Sequence, residues 1–97
     1  MGIVYKSARA RKDLGDIWFY IAEQSTHEQA DQVLSRIETA AQLLASRPHM
    51  GRPRSKLWEG MRSWPVGSYI IFYFPLPDGI RILRVIHSRR DIPRQFD

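Results

Sequence analysis

The chain has 97 residues, of which 43% are hydrophobic and 26% charged, with no cysteine and a formal net charge of +5. That length and composition suit one core-forming domain spanning 1–97, while the longest apolar runs, YIIFYF and AAQLLA, are too short to cross a bilayer. Absence of cysteine excludes disulfides and thiolate metal sites and fits a reducing cytoplasm.

The opening residues, MGIVYKSARARKDL, lack the apolar run and small-residue cleavage site of a secretory signal. Charge is unevenly spread. Residues 1–46 carry five Lys/Arg against six Asp/Glu, a balance of −1, whereas residues 47–97 carry ten against four, a balance of +6. Such asymmetry points to an anionic partner, either nucleic acid or an acidic protein segment, with plain solubility as the alternative.

In chain order, residues 2–6 are β-branched and aromatic enough to predict a short first strand. Ser7 is a fitting N-cap for a helix whose apolar stripe is Leu14, Ile17, Trp18, Ile21 and Ala22. Gly15 within it is expected to allow close packing, since glycine otherwise costs about 1 kcal/mol there. The helix is expected to stop near Gln24. Ser25 and Thr26, followed by Glu28 and Gln29, then supply a fresh cap and capping box. The second stripe runs through Ala30, Val33, Leu34, Ile37, Ala41 and Leu44 to Arg47, where Pro48 forbids continuation. So short a turn makes the two helices antiparallel neighbours.

Residues 48–58, PHMGRPRSKLW, read as a loop carrying Arg52, Arg54 and Lys56. Strands follow over Met61–Val66, Tyr69–Phe74 and Ile80–His87, joined by Gly67-Ser68 and by a longer turn over Pro75–Gly79. YIIFYF is apolar on both faces and is therefore central, with the helices covering one side. The fold class is α+β.

Three constellations could carry chemistry. The basic loop lacks the GxxxxGK[ST] pattern, so it is either an electrostatic patch or a solvated connection. On the last strand, alternation places Arg84 beside Ile82 and Ile86, and Arg81 beside Leu83, Val85 and His87. An arginine in such an apolar row is paired with a carboxylate or points into a cleft. Third, RVIHSRRD joins His87 to Arg89 and Arg90. A ribonuclease needs two proton-transfer groups and cations on the phosphate, yet neither His27 nor His49 stands at a spacing that pairs it with His87. The scattered histidines give no metal motif. Trp58 and Trp64 read mainly as packing, although Trp58 beside Arg54 and Lys56 is also placed to stack on a base.

Four segments, DLGDIWFYIAEQS, LLASRPHMGRPR, LWEGMRSWPVGSYIIFYF and GIRILRVIHSRRD, occur in order over nearly the whole chain. Together they resemble the ParE branch of the RelE/ParE superfamily of type II toxins. The resemblance implies an N-terminal strand and antiparallel helical hairpin packed on a twisted antiparallel β-sheet. It also implies a toxin neutralised by a cognate ParD-like antitoxin, whose acidic C-terminal segment folds onto it as helix and extended chain. The toxin would then be held in a hetero-oligomer and meet operator DNA only through that antitoxin. ParE-like members poison DNA gyrase, whereas RelE-like members are ribosome-dependent endoribonucleases that typically use a C-terminal tyrosine; here the tail DIPRQFD has Phe96 and no tyrosine after Tyr73.

On this resemblance gyrase poisoning leads, and RelE-like mRNA cleavage is the alternative. A third reading is an inactive copy that serves only in autoregulation. The target-binding candidates are Arg52, Arg54, Lys56, Arg62, Arg89 and Arg90. The antitoxin groove candidates are Trp18, Ile21 and Leu34. Under the ribonuclease reading His87, Arg84 and Arg62 would be catalytic. No cofactor, metal or membrane is expected.

Overall fold

Two hydroxyl caps organise the first half of the molecule. In the computed structural model, which describes residues 2–96, strand β1 (Ile3–Lys6) runs into Ser7. The Ser7 hydroxyl accepts from the Ala10 amide at 3.0 Å and starts helix α1 (Ala8–Gln24). Of the two predicted caps for the next helix, Thr26 is the one used: it accepts from the Gln29 amide at 3.0 Å and opens α2 (His27–Ser46). Ser25 instead ends α1, its amide donating to the Ile21 carbonyl. Arg47 and then Pro48 end α2 as expected.

The remaining strands are β2 (Arg52–Pro53), β3 (Arg62–Val66), β4 (Tyr69–Leu76) and β5 (Gly79–His87), followed by a single 3-10 turn over Pro93–Phe96. Their order in the sheet is β1-β5-β4-β3-β2, so β4 is central, as its two apolar faces require. The sheet is mixed rather than wholly antiparallel, because β1 pairs parallel with β5. A chain that leaves β1 through two helices has enough length to return in the parallel sense, which no tight hairpin permits. Two residues of the predicted loop form β2 against Ser63 and Arg62, too short a strand to show alternation in the sequence. The predicted turn at 75–79 shrinks to Pro77-Asp78. Pro75 lies beyond the end of β3, so β4 can continue through it without losing a ladder bond on that side. Gly79 has φ +154, and a Cβ there would run into the Ile3 backbone.

Both faces of the sheet are packed. Ile17, Ile37, Leu44, Ile71, Tyr73, Ile80, Ile82 and Val85 form the cluster under the helices. On the opposite face Met61, Phe72 and Ile86 lie beneath Leu57, Ile92 and Phe96, with Phe96 edge-on to Phe72 at 4.9 Å. Each fully buried side chain of this size stabilises the fold by about 1.5–3 kcal/mol relative to exposure.

A β-bulge corrects the predicted alternation of β5. Phe72 pairs with Arg84 and Tyr73 with Ile82, which leaves Leu83 unmatched and reverses side-chain parity after it. Ile82 and Val85 therefore join the same helix-side cluster, and Ile86 the opposite one. Arg84 does not share a face with Ile82, nor Arg81 with Val85. Gly15 also departs from expectation: it is exposed, and nothing lies within 4 Å of where its Cβ would stand.

Candidate functional site

β1 ends at Lys6, opposite Ile82, so the edge of β5 beyond that point has no strand beside it. Side chains satisfy it instead. The Ser7 hydroxyl donates to the Leu83 carbonyl at 2.8 Å, and the Asp13 carboxylate of α1 accepts from the Val85 amide at 3.0 Å. The same carboxylate takes Arg84 Nε at 2.8 Å and Nη2 at 3.1 Å, with both side chains under a tenth exposed. Arg84 Nη1 reaches the Gln95 carbonyl at 3.2 Å. Of the two readings of Arg84, the structure has the carboxylate-paired one, and this buried pair ties α1 to β5 and to the C-terminal turn.

Beside the pair opens a cleft of about 760 Å³ between the helical hairpin and the end of β5. Ile17, Tyr20 and Ile21 of α1 form one wall, Gln29 and Val33 of α2 another, and Tyr69, Val85 and His87 the sheet side. Arg89 and Arg90 stand at its rim, both exposed. Neither forms an ion pair among the described residues. The His87 ring lies edge-on to Tyr69 at 5.2 Å, and its Nδ1 accepts from the Arg89 amide at 3.1 Å. That bond leaves Nε2 as the protonated nitrogen of the neutral ring. Burial, then the nearby Tyr20, push the Tyr69 phenol above its ordinary range, so it holds its proton at neutral pH.

The basic loop is a separate locus. Arg62 pairs with Tyr73 at the other end of the β3–β4 hairpin from Tyr69. Its Nη1 donates to the His49 and Gly51 carbonyls at 3.0 and 2.7 Å, fastening the loop to the sheet. Beneath it the buried Tyr73 hydroxyl accepts from the Gly51 amide at 2.9 Å and donates to the Pro48 carbonyl at 2.7 Å. Burial pushes this phenol up too, partly offset by the Gly51 bond and by Arg62. Arg54 Nε bonds the Ser63 hydroxyl, and its guanidinium lies 5.6 Å from the centre of the Phe72 ring. Burial, then Arg52, lower the pKa of Arg54. Arg52 and Lys56 are exposed. Trp58 is half exposed and packs edge-on to Phe74.

The six predicted target-binding residues thus divide. Arg52, Lys56, Arg89 and Arg90 present charge to solvent, whereas Arg54 and Arg62 are fastened to the sheet. His49 lies with the loop, and His27 against Trp18 at 5.1 Å, so neither histidine joins His87. Of the predicted groove, Ile21 lines the cleft. Leu34 packs into the helix-side core, and Trp18 Nε1 donates to Asp31 Oδ1 across the hairpin at 2.8 Å. Sequence reasoning missed Phe19 and Tyr20, which are 64% and 63% exposed. They fall off the apolar stripe, and aromatic residues on a polar helix face were the available signal.

Comparison with known proteins agrees with this fold. Residues 4–92 match the family model described as the ParE toxin of the type II toxin–antitoxin system parDE. Toxin ParE1 of Caulobacter vibrioides is 35% identical over 82 residues, covering 84% of each chain. Toxin ParE3 of the same organism is 28% identical over 96 residues, covering 99% of this chain and 96% of the relative. A solved structure described as the chromosomal ParDE system from P. aeruginosa superposes with a TM-score of 0.77 at 19% identity, covering 92% of this chain and 98% of that one. The chain belongs to the ParE toxin family of type II toxin–antitoxin systems.

Proposed function

We propose that this toxin acts in the cytoplasm by binding DNA gyrase and stalling it on cleaved DNA, and that a ParD-like antitoxin neutralises it in a hetero-oligomer. The observation that carries the reading is the family match from residue 4 to residue 92. The cleft supports the antitoxin part. Its Tyr20 and Ile21 wall suits an apolar helix face, and Arg89 and Arg90 at its rim suit the acidic segment that such an antitoxin brings. Operator DNA is met through the antitoxin. Arg52 and Lys56, at the far end of the sheet, are then open to the target while the cleft is filled.

The ribonuclease reading also has an observation in its favour. The Tyr69 ring lies edge-on to His87 at 5.2 Å, a phenol beside the histidine that the sequence did not show, while burial makes that phenol a weaker acid than an ordinary one. One experiment separates the two: purified toxin with gyrase, ATP and supercoiled plasmid, run beside a translating extract with mRNA. Stabilised cleaved DNA complexes with intact mRNA are expected. Codon-positioned mRNA cuts with normal supercoiling would reverse the conclusion.

A further inference from the structure

Helix α1 turns Ala10 and Ile17 to the core. On its opposite side Lys12, Gly15, Phe19 and Glu23 follow at spacings of three, four and four residues, so they form one outward row, and all of them are exposed. Phe19 is 64% exposed, yet its ring is braced. It stands edge-on to Trp18 at 5.3 Å, and Trp18 is itself held by Asp31 across the hairpin. One turn earlier Gly15 leaves a gap, since nothing lies within 4 Å of where its Cβ would stand. A projecting ring and an open notch thus sit on the same face, about 6 Å apart along the helix.

The charges of α1 select what fits this row. Its exposed cations, Arg9, Arg11 and Lys12, lie toward the N-terminal end, and its exposed acids, Asp16 and Glu23, follow from the middle to the C-terminal end. Glu23 has no cation partner among the described residues. A second α1 laid antiparallel sets cations against acids, whereas a parallel one sets like against like. The antiparallel arrangement also answers the shape. With a twofold axis at the level of Ile17, midway between Gly15 and Phe19, the ring of each copy falls over the notch of the other. In that register Glu23 comes within about 1.5 Å, one residue's rise, of the level of Lys12 in the second copy.

We propose that the outward face of α1 is a self-association surface. Two copies of this chain pair through antiparallel α1 helices, with Phe19 of each seated on Gly15 of the other and Glu23 facing Lys12. The missing side chain at Gly15 lets the helices approach toward the short end of the usual spacing of about 8–10 Å. One helix face of this length buries less than a standard interface, so the dimer is weak and forms as concentration rises. The row is separate from the apolar α1 wall of the cleft, Ile17, Tyr20 and Ile21, and the inference does not depend on whether the toxin's target is gyrase or the ribosome.

Sedimentation velocity of the full-length chain, from micromolar to millimolar concentration, is expected to show a monomer–dimer equilibrium. Phe19→Ala, which removes two rings from each dimer, should weaken it about tenfold. Gly15→Gln fills the notch while meeting nothing in the monomer, so it should weaken pairing while the urea midpoint holds or rises. Glu23→Lys and Lys12→Glu should each weaken pairing about fivefold, and combining them should restore it. Within one chain these two residues stand about 16 Å apart along the helix, so the restoration must act between copies. A chain that stays monomeric at millimolar concentration would overturn the proposal. So would dimers indifferent to Phe19→Ala, or a doubly reversed protein that pairs no better than the single variants.

Discussion

The buried pair of Asp13 and Arg84 makes an unequal prediction. Replacing Asp13 by Leu leaves the Arg84 guanidinium under a tenth exposed with one backbone carbonyl, that of Gln95, as its remaining partner. An uncompensated buried charge of this kind costs about 3–5 kcal/mol. Replacing Arg84 by Met leaves Asp13 better served, because it keeps the Val85 amide at 3.0 Å and gains from Arg9, whose Nε stands 3.5 Å away. About 2–3 kcal/mol is expected for that change, since one charge-assisted bond survives and Arg9 is exposed enough to follow. The double variant removes both charges and should cost less than the two singles together, with a coupling of about 2–3 kcal/mol. Urea unfolding of the four proteins, extrapolated to water at constant slope, measures each value. Additivity within about 0.5 kcal/mol would refute the coupling. A costlier Arg84→Met would refute the role given to Arg9 and Val85.

Tyr73→Phe leaves the Gly51 amide and the Pro48 carbonyl without their buried partner and should cost about 2 kcal/mol in the same assay. Because burial raises the folded-state pKa of this phenol above its unfolded value near 10, its contribution is complete below that pH and is lost as pH rises through the raised value. The loss of stability above about pH 10 should therefore be smaller in Tyr73→Phe than in the parent chain. Gly15→Ala should stabilise by roughly 0.5–1 kcal/mol, read as a higher urea midpoint, because the added methyl meets nothing and helix propensity rises. His87→Gln, which cannot shuttle protons, should keep growth arrest and gyrase trapping intact. Loss of toxicity in a folded His87→Gln protein would bring the ribonuclease reading forward.

The parts of the fold governed by local chemistry were legible. Ser7, Thr26 and Pro48 mark helix ends because capping and proline geometry act over three or four residues. YIIFYF announced a central strand through composition alone. What the sequence hid depends on distant partners. Asp13 shares the buried face of its helix with Ala10 and Ile17, but nothing nearby in the chain identifies it as the acid for Arg84, 71 residues away. The bulge at Leu83 is set by pairing across the sheet and by the Ser7 bond, and it defeats any argument from alternation. Tyr69 and His87 meet because the β4–β5 register brings them opposite each other. That neighbour lies 18 residues before His87 in the sequence, where no spacing argument reaches it. The basic residues were legible as charges but not as an arrangement, since Arg62 and Arg89 have the same letter and opposite circumstances.

The two covers of the sheet differ in what their release would require. The helix-side cluster lies under two helices of 17 and 20 residues, whose removal is unfolding in the full sense. The opposite cluster lies partly under Ile92 and Phe96, carried by one 3-10 turn and fastened to β5 through the Gln95 carbonyl on Arg84. Such a short cover can lift by local opening while the helices, the sheet and the cleft stay in place. Behind that turn Phe72, Met61 and Ile86 form the apolar surface that such an opening would uncover.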